Sequence, residues 1–119
     1  MDFGGFISAL VLICGNEQLL TLTRAEMLRH VGFQVHVSDG VALLDEDDAL
    51  PRAELAVLCH TLSAKEQEKA HRLIVSRAPE AKFIVMSRGK PSDQHIGFPL
   101  LASEGPQALI DLSRQLTQR

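Results

Sequence analysis

The sequence predicts an α/β fold, with five parallel strands in one sheet and helices on both faces, as a single domain over residues 1–119. Its five apolar runs lie at 8–14, 33–37, 54–59, 82–87 and 97–102. Four of these runs are almost continuously apolar, which is typical of strands covered on both faces. Helical patterns separate most of them, and this alternation predicts right-handed crossovers within a parallel sheet.

The second strand and the first helix have distinct patterns. The run "FQVHV" (33–37) alternates between apolar and polar residues, which suits an edge strand with one poorly covered face. The segment 17–31 has helical periodicity and stops at Gly32, a favourable residue for the C′ position. The buried face of this helix is expected to consist of Leu20, Met27, Leu28 and Val31.

A second helix is expected in "SDGVALLDEDD", between the second and third strands. Ser38 or Asp39 would serve as its N-cap. The acidic residues 45–48 would then lie at its carboxyl end, where they oppose the helix dipole and favour fraying. These four residues lack the spacing of a calcium-binding loop, so a solvated acidic turn is expected.

The last two helices carry clearer terminal patterns. The segment 63–78 opens with a capping box from Ser63 to Glu66 and stops before a proline. The segment 105–116 has Pro106 in its first turn. Between the fourth and fifth strands, "RGKPSDQHI" (88–96) has no helical stripe, so the helix of that crossover is expected to be shortened or missing.

Composition narrows the classes of partner. The net charge of −3 gives no general attraction to nucleic acid or to an anionic membrane, and the absence of Trp and Tyr removes the usual stacking platforms. Cys14 and Cys59 lie in apolar runs, which is typical of reduced, buried thiols in a cytoplasmic protein. The five histidines show no metal-binding spacing.

Ligands of open parallel sheets bind beyond the carboxyl ends of the strands. In this chain, polar or small residues lie at the carboxyl ends of the first, third, fourth and fifth predicted strands. They are Gly15, Asn16 and Glu17 after the first strand, Cys59, His60 and Thr61 after the third, Ser87 and Arg88 after the fourth, and Ala102 and Ser103 after the fifth.

Almost the whole chain resembles the receiver domain of bacterial response regulators. The resemblance rests on "ALVLICGNEQLL", "GFQVHVSDG", "AELAVLCHTLS", "AKFIVMS" and "EGPQALIDLSRQL". It implies a flavodoxin-like three-layer sandwich with strand order 2-1-3-4-5. It also implies a role in two-component signalling, with no enzyme activity expected for this chain.

The residues that carry receiver chemistry are replaced here. By this resemblance the two metal-holding acids fall on Gly15 and Asn16, and the phospho-accepting aspartate falls on Cys59. The hydroxyl residue is retained in kind as Ser87, and the lysine falls on Ala102. Thr61 belongs to the same pocket.

These replacements remove the groups that Mg²⁺ binding and aspartyl phosphorylation need. Mg²⁺ prefers oxygen ligands, supplied largely by carboxylates and water, and a thiol is a poor ligand for it. Glu17 is the only carboxylate among these positions, and without the lysine no cation at that position would stabilise a phosphoryl group. The sequence therefore predicts no metal, no cofactor and no aspartyl phosphate.

Three functions follow from these observations. The first is a phosphorylation-independent protein–protein interaction module, with a signalling protein or a second copy of the chain as its partner. Alternatives are a thiol-based redox or ligand switch at Cys59, and an ordinary phosphorelay receiver.

Pro99 marks the fifth strand as an edge strand. The expected interaction face around this strand consists of Arg88, Lys90, Phe98, Leu100 and Leu101.

Overall fold

A computed structural model describes residues 9–42, 44–89 and 96–118 of the chain. The strands are β1 (Leu10–Gly15), β2 (Gln34–Asp39), β3 (Leu55–Leu58), β4 (Lys82–Ser87) and β5 (Phe98–Leu101). The α-helices within these ranges are α1 (Gln18–His30), α2 (Ala64–Arg77) and α3 (Pro106–Thr117). Three 3-10 turns complete the description, at Leu44–Glu46, Leu50–Arg52 and Ala102–Glu104.

The predicted sheet is confirmed. Its five strands are all parallel and follow the order β2-β1-β3-β4-β5, so β2 and β5 are its edges. The alternating run therefore does form an edge strand, and the proline-containing strand forms the other edge. This is the flavodoxin-like topology that the resemblance to receiver domains implies.

The two faces of the sheet build two cores, because successive side chains of each strand point to opposite sides. One core contains Leu12, Leu58 and Val85 from the strands and is covered by Ile74 of α2 and by the 3-10 turns that precede β3. The other contains Val11, Ile13, Val57 and Ile84, and is covered by α1 and α3 through residues such as Leu28 and Leu109.

The helix expected over 38–48 is not formed in the described part of that segment. Ser38 and Asp39 belong to β2 instead of capping a helix, and Gly40 then turns the chain with φ of +82°. Two 3-10 turns follow, and each buries a leucine completely, Leu44 and Leu50. Spacing of apolar residues by three suits a 3-10 turn as well as an α-helix, and Pro51 cannot donate a backbone hydrogen bond.

The predicted ends of the other helices agree with the structure. Gly32 follows the C-cap of α1 with φ of +107°, and Pro106 is the first residue of α3. Ser63 and Glu66 form both hydrogen bonds of the capping box on α2. The interval 88–96, where a shortened or missing helix is predicted, falls largely on residues 90–95, which lie outside the described residues.

The buried face of α1 differs from the predicted one. Leu28 is buried as expected, but Leu20, Met27 and Val31 are only partly buried. The fully buried positions are Thr21, Arg24, Ala25 and Leu28, so the stripe includes two polar residues.

Candidate functional site at the carboxyl end of the sheet

The loops after β1 and β3 are tied together by hydrogen bonds. The backbone N–H of Asn16 donates to Thr61 Oγ1 (3.0 Å), and its side-chain amide donates to Thr61 O (3.2 Å) and to Glu66 Oε1 (3.0 Å). The Ser63 backbone N–H donates to the same Glu66 oxygen (2.8 Å), and this bond, with a smaller contribution from Asn16, lowers the pKa of Glu66. Asn16 therefore joins the two loops.

Gly15 lies at the closest packing point of this end of the sheet. A Cβ atom added there would lie 2.5 Å from Thr21 Oγ1, 3.1 Å from Thr61 Oγ1 and 3.2 Å from Cys59 Cβ. The first distance is shorter than any ordinary contact, and the Thr21 hydroxyl is itself fixed by donating to Glu17 O (2.9 Å). Any side chain at position 15, including an acidic one, would therefore have to displace Thr21 and would press against Thr61 and Cys59 from its Cβ atom onward.

Glu17 is occupied as a helix cap. Its carboxylate accepts a hydrogen bond from the Leu20 backbone N–H (2.8 Å), which makes it the N-cap of α1. The sequence pattern places Glu17 at the start of this helix but does not reveal its capping role, because Glu is less common than Ser, Thr, Asp or Asn at this position. The one carboxylate among the predicted pocket positions thus satisfies a backbone donor of its own helix.

The residues at this end do not fit a divalent cation of the Mg²⁺ type. Such a cation needs several oxygen ligands, and Gly15 and Cys59 supply none from their side chains. Asn16 offers only a neutral amide oxygen, and the carboxylate of Glu17 caps α1. Across the described ranges, no group of three or more His, Cys, Asp or Glu side chains is placed to hold a metal ion.

Ser87 and Ala102 lie on the other side of Cys59, where β4 and β5 end. Ser87 pairs with Leu101 in the sheet, so Ala102 follows directly beside it. Ala102 opens the 3-10 turn and packs against the core under α1 and α3, and its side chain offers no polar group. Glu104 closes this turn by accepting a hydrogen bond from the Leu101 backbone N–H (2.8 Å).

Both thiols are buried, and they lie on opposite faces of the sheet. The Cys14 thiol donates to Gly40 O (3.2 Å), and burial raises its pKa to about 12. Burial also raises the pKa of Cys59, although the nearby Arg24 guanidinium opposes this effect. Since the thiolate is the reactive form, both residues are protonated and poorly reactive at neutral pH.

Gln67 is a functional element that sequence reasoning missed. This residue of α2 is buried, and its amide nitrogen reaches across to the ends of two strands, where it donates to Met86 O (2.9 Å), Cys59 O (3.2 Å) and, more weakly, Leu58 O (3.5 Å). It thereby supplies donors to carbonyl groups at the ends of β3 and β4. A glutamine between two glutamates near the start of an amphipathic helix gives no indication of this role.

Arg24 is the second missed residue. The side chain is buried beneath the carboxyl end of the sheet, and its Nη2 lies 3.4 Å from His60 Nδ1. Burial, with Arg24 and Arg88 adding positive charge nearby, lowers the pKa of His60, so its ring is neutral at pH 7 and can accept from the guanidinium. A charged residue within an amphipathic helix is ordinarily assigned to the surface, which is why the pattern did not reveal it.

The predicted interaction face around β5 is only partly available. Phe98 is 48% exposed and Arg88 is also exposed, whereas Leu101 is half-buried. Leu100 was expected on this face but is buried in the core under α1 and α3, because its side chain points inward from the strand. Lys90 lies outside the described residues.

Comparison with known proteins places the fold among receiver domains. No family model and no curated protein matches the chain. A response regulator receiver domain protein from Bacillus halodurans is similar in structure (TM-score 0.76, 13% identity, 94% of this chain and 99% of that chain). A response regulator receiver protein from Sinorhizobium medicae is similar as well (TM-score 0.75, 17% identity, 92% and 94%).

A pilus assembly protein from Burkholderia thailandensis has the same fold (TM-score 0.72, 15% identity, covering 93% of this chain and 99% of that chain). At these identities the likeness concerns the fold. The chain thus has a receiver-like fold. Among the described helices, none has the length and apolar character needed to cross a bilayer.

Proposed function

We propose that this chain is a receiver-like signalling domain that acts through protein–protein contacts and independently of aspartyl phosphorylation, in bacterial two-component-type regulation. The observation that carries the proposal is the packing at Gly15, where the Cβ atom of an acidic side chain would collide with Thr21 and press against Thr61 and Cys59. A filled site with an intact fold around it favours a binding role over phosphoryl chemistry.

In receiver chemistry a carboxylate attacks the phosphodonor while a divalent metal offsets the charge of the phosphoryl group. Cys59, a protonated and fully buried thiol, stands where the resemblance places the carboxylate nucleophile. The remaining carboxylate among the predicted pocket positions, Glu17, is bonded to its own helix. These contacts argue against an ordinary phosphorelay receiver.

Incubation with acetyl phosphate and Mg²⁺ is expected to leave the intact mass of the protein unchanged. The reason is that a buried thiol stands at the position of the nucleophile, and Glu17 caps its helix instead of coordinating a cation. Intact-mass spectrometry measures the result directly, and a receiver domain with its acidic residues present, treated in parallel, shows that the reagent is active. A stoichiometric phosphoryl adduct on this chain would overturn the proposal.

The β5 edge is the surface proposed for contacts with a signalling partner. Phe98 is a large exposed apolar side chain on this strand, and in the described part of the sheet β5 pairs only with β4. An exposed strand edge bearing an aromatic residue is suited to association with another chain. Arg88 follows Ser87, which pairs with Leu101, so its positive charge lies at the carboxyl end of this pair of strands.

We expect the purified chain to self-associate reversibly at high concentration through this edge, and Phe98→Glu to weaken the association by about tenfold or more, because it places a charge within the contact. Light scattering over a concentration series measures the effect. Val75→Glu is the matched control, since Val75 is 38% exposed on α2, away from β5. A wild-type chain that stays monomeric, or equal effects of both variants, would contradict self-association through this edge.

The thiol switch at Cys59 is the weaker alternative. Its sulfur is buried, burial raises its pKa, and Cys14 lies on the other face of the sheet, where it cannot form a disulfide with Cys59 without rearrangement. The proposal includes no enzyme activity, no cofactor, and neither nucleic acid nor membrane as a partner. It places the chain in the cytoplasm, which suits two free cysteines.

A further inference from the structure

A small cleft opens between α1 and α3, beside the end of β4. Its volume is about 280 Å³, just below the range of about 300–1,000 Å³ that pockets for drug-sized ligands occupy. The walls are largely apolar and include Leu20, Met27, Met86 and Leu109. Among the described residues that line it, Arg24 alone is charged, so the cleft combines an apolar interior with one positive charge.

The guanidinium of Arg24 has an unused donor. The residue is only 9% exposed, and its Nη1 is buried and makes no hydrogen bond, while Nη2 contacts the neutral ring of His60. Within the described ranges, Arg24 forms no ion pair with a carboxylate. A buried charge without a counter-charge is costly, so this donor favours an anionic group placed against it.

The geometry points to a binding site for a small organic monocarboxylate, with its carboxylate on Arg24 and its short apolar body between α1 and α3. One guanidinium matches one negative charge, whereas a phosphate would bring charge that no described residue of the cleft offsets. The apolar walls favour an aliphatic body, and the volume restricts it to a short one.

The ligand reaches the guanidinium through the side chains that line the cleft. Nη1 has no contact with solvent, so the ligand must displace part of the lining to reach it. Leu20 and Met27 are partly exposed at the rim, and methionine side chains repack readily because they are unbranched and flexible. This inference does not depend on the proposed function, because none of the residues that fill the space around Gly15 lines the cleft.

Hexanoate is a suitable probe, followed by amide chemical shifts in a titration of the full chain. We expect saturable shifts confined to α1, α3 and the end of β4, with hexanol and inorganic phosphate each binding at least about tenfold more weakly. Arg24→Met should weaken hexanoate binding by at least about tenfold, since it removes the charge and keeps most of the volume. Arg29→Met is the matched control, because Arg29 is an exposed arginine of the same helix, and it should bind hexanoate as the wild type does.

A second variant keeps the test decisive if Arg24→Met fails to fold. Leu20→Glu places a negative charge in the wall of the cleft and should weaken hexanoate binding by a larger factor than hexanol binding, because only hexanoate is repelled by the new charge. Equal affinity for hexanol and hexanoate, tighter binding of phosphate, shifts located elsewhere, or unchanged binding by both variants would each overturn the site. None of these outcomes bears on the acetyl phosphate experiment, so the two proposals fail separately.

Discussion

Gln67→Glu is expected to lower the free energy of unfolding by about 3 kcal/mol at pH 7. The substitution keeps the shape of the side chain but replaces the donating amide with a carboxylate. In the folded protein this carboxylate would face Met86 O and Cys59 O, two acceptors that now receive hydrogen bonds from Gln67. It would also be desolvated, because position 67 is only 5% exposed. A domain is typically stable by about 5–15 kcal/mol, so this loss is large.

The loss should depend on pH in a defined direction. Burial and the facing carbonyls would raise the pKa of the introduced carboxyl group in the folded state above its unfolded value of about 4.3. The folded variant therefore binds a proton more tightly than the unfolded chain does. Relative to the wild type at the same pH, the variant should be least destabilised near pH 4 and progressively more so as the pH rises towards 7. Urea unfolding of both proteins at each pH gives the comparison.

Two further variants separate the two possible causes of this loss of stability, which are the missing hydrogen-bond donor and the added charge. Gln67→Leu removes the donor without adding a charge and should cost about 1–3 kcal/mol with little dependence on pH between about 4 and 7. Gln115→Glu makes the same chemical change at an exposed position of α3 and should stay within about 0.5 kcal/mol. If Gln67→Glu and Gln115→Glu are equally stable at pH 7, the amide of Gln67 does not organise the ends of β3 and β4.

The sheet and most helix ends were predictable because their causes are local. An apolar run defines β1, β3 and β4, and a capping pair or a proline defines where α2 and α3 begin. The failure over 38–48 has a local cause too, since the spacing of its apolar residues suits 3-10 turns as well as an α-helix. The positive φ of Gly40 and the hydrogen bond from the Ala49 N–H to Asp47 Oδ1 (2.9 Å) favour the turns.

Burial of polar residues could not be predicted, because their partners are distant in sequence. The buried Gln67 donates hydrogen bonds to carbonyl groups at the ends of two strands, and the Met86 carbonyl is 19 residues away in sequence. Arg24 lies beside His60, which is 36 residues away. Sequence periodicity describes one helix at a time and cannot anticipate such partners. At the carboxyl end of the sheet the residue types were readable from the sequence, but the packing of Thr21 and Thr61 against Gly15 required the structure.

Gly15→Ala is expected to cost about 2 kcal/mol of unfolding free energy, since overpacking of a close contact typically costs about 1–3 kcal/mol. Gly15→Asp should cost about 4 kcal/mol or more, because it adds a buried carboxylate to the same steric conflict. Chemical denaturation at pH 7 measures both losses.

A double-mutant cycle with Thr21→Ala identifies the contact responsible. Thr21→Ala removes the Oγ1 atom that an alanine Cβ at position 15 would approach to 2.5 Å, and it also loses a hydrogen bond to Glu17 O. In that background Gly15→Ala should cost at least about 1 kcal/mol less than in the wild type, since directly contacting residues couple by about 0.5–3 kcal/mol.

The corresponding cycle of Gly15→Asp with Thr21→Ala tests the packing on which the proposed function rests. If Gly15→Asp is as stable as the wild type, there is room for an acidic side chain between β1 and α1, and the space at position 15 is not filled. If instead Gly15→Asp is destabilised and Thr21→Ala partly restores it, the hydroxyl of Thr21 occupies the volume that the carboxylate would need. The absence of an acidic residue at position 15 and the packing of Thr21 then have one structural cause, and a single substitution to aspartate cannot create a metal-binding end of the sheet.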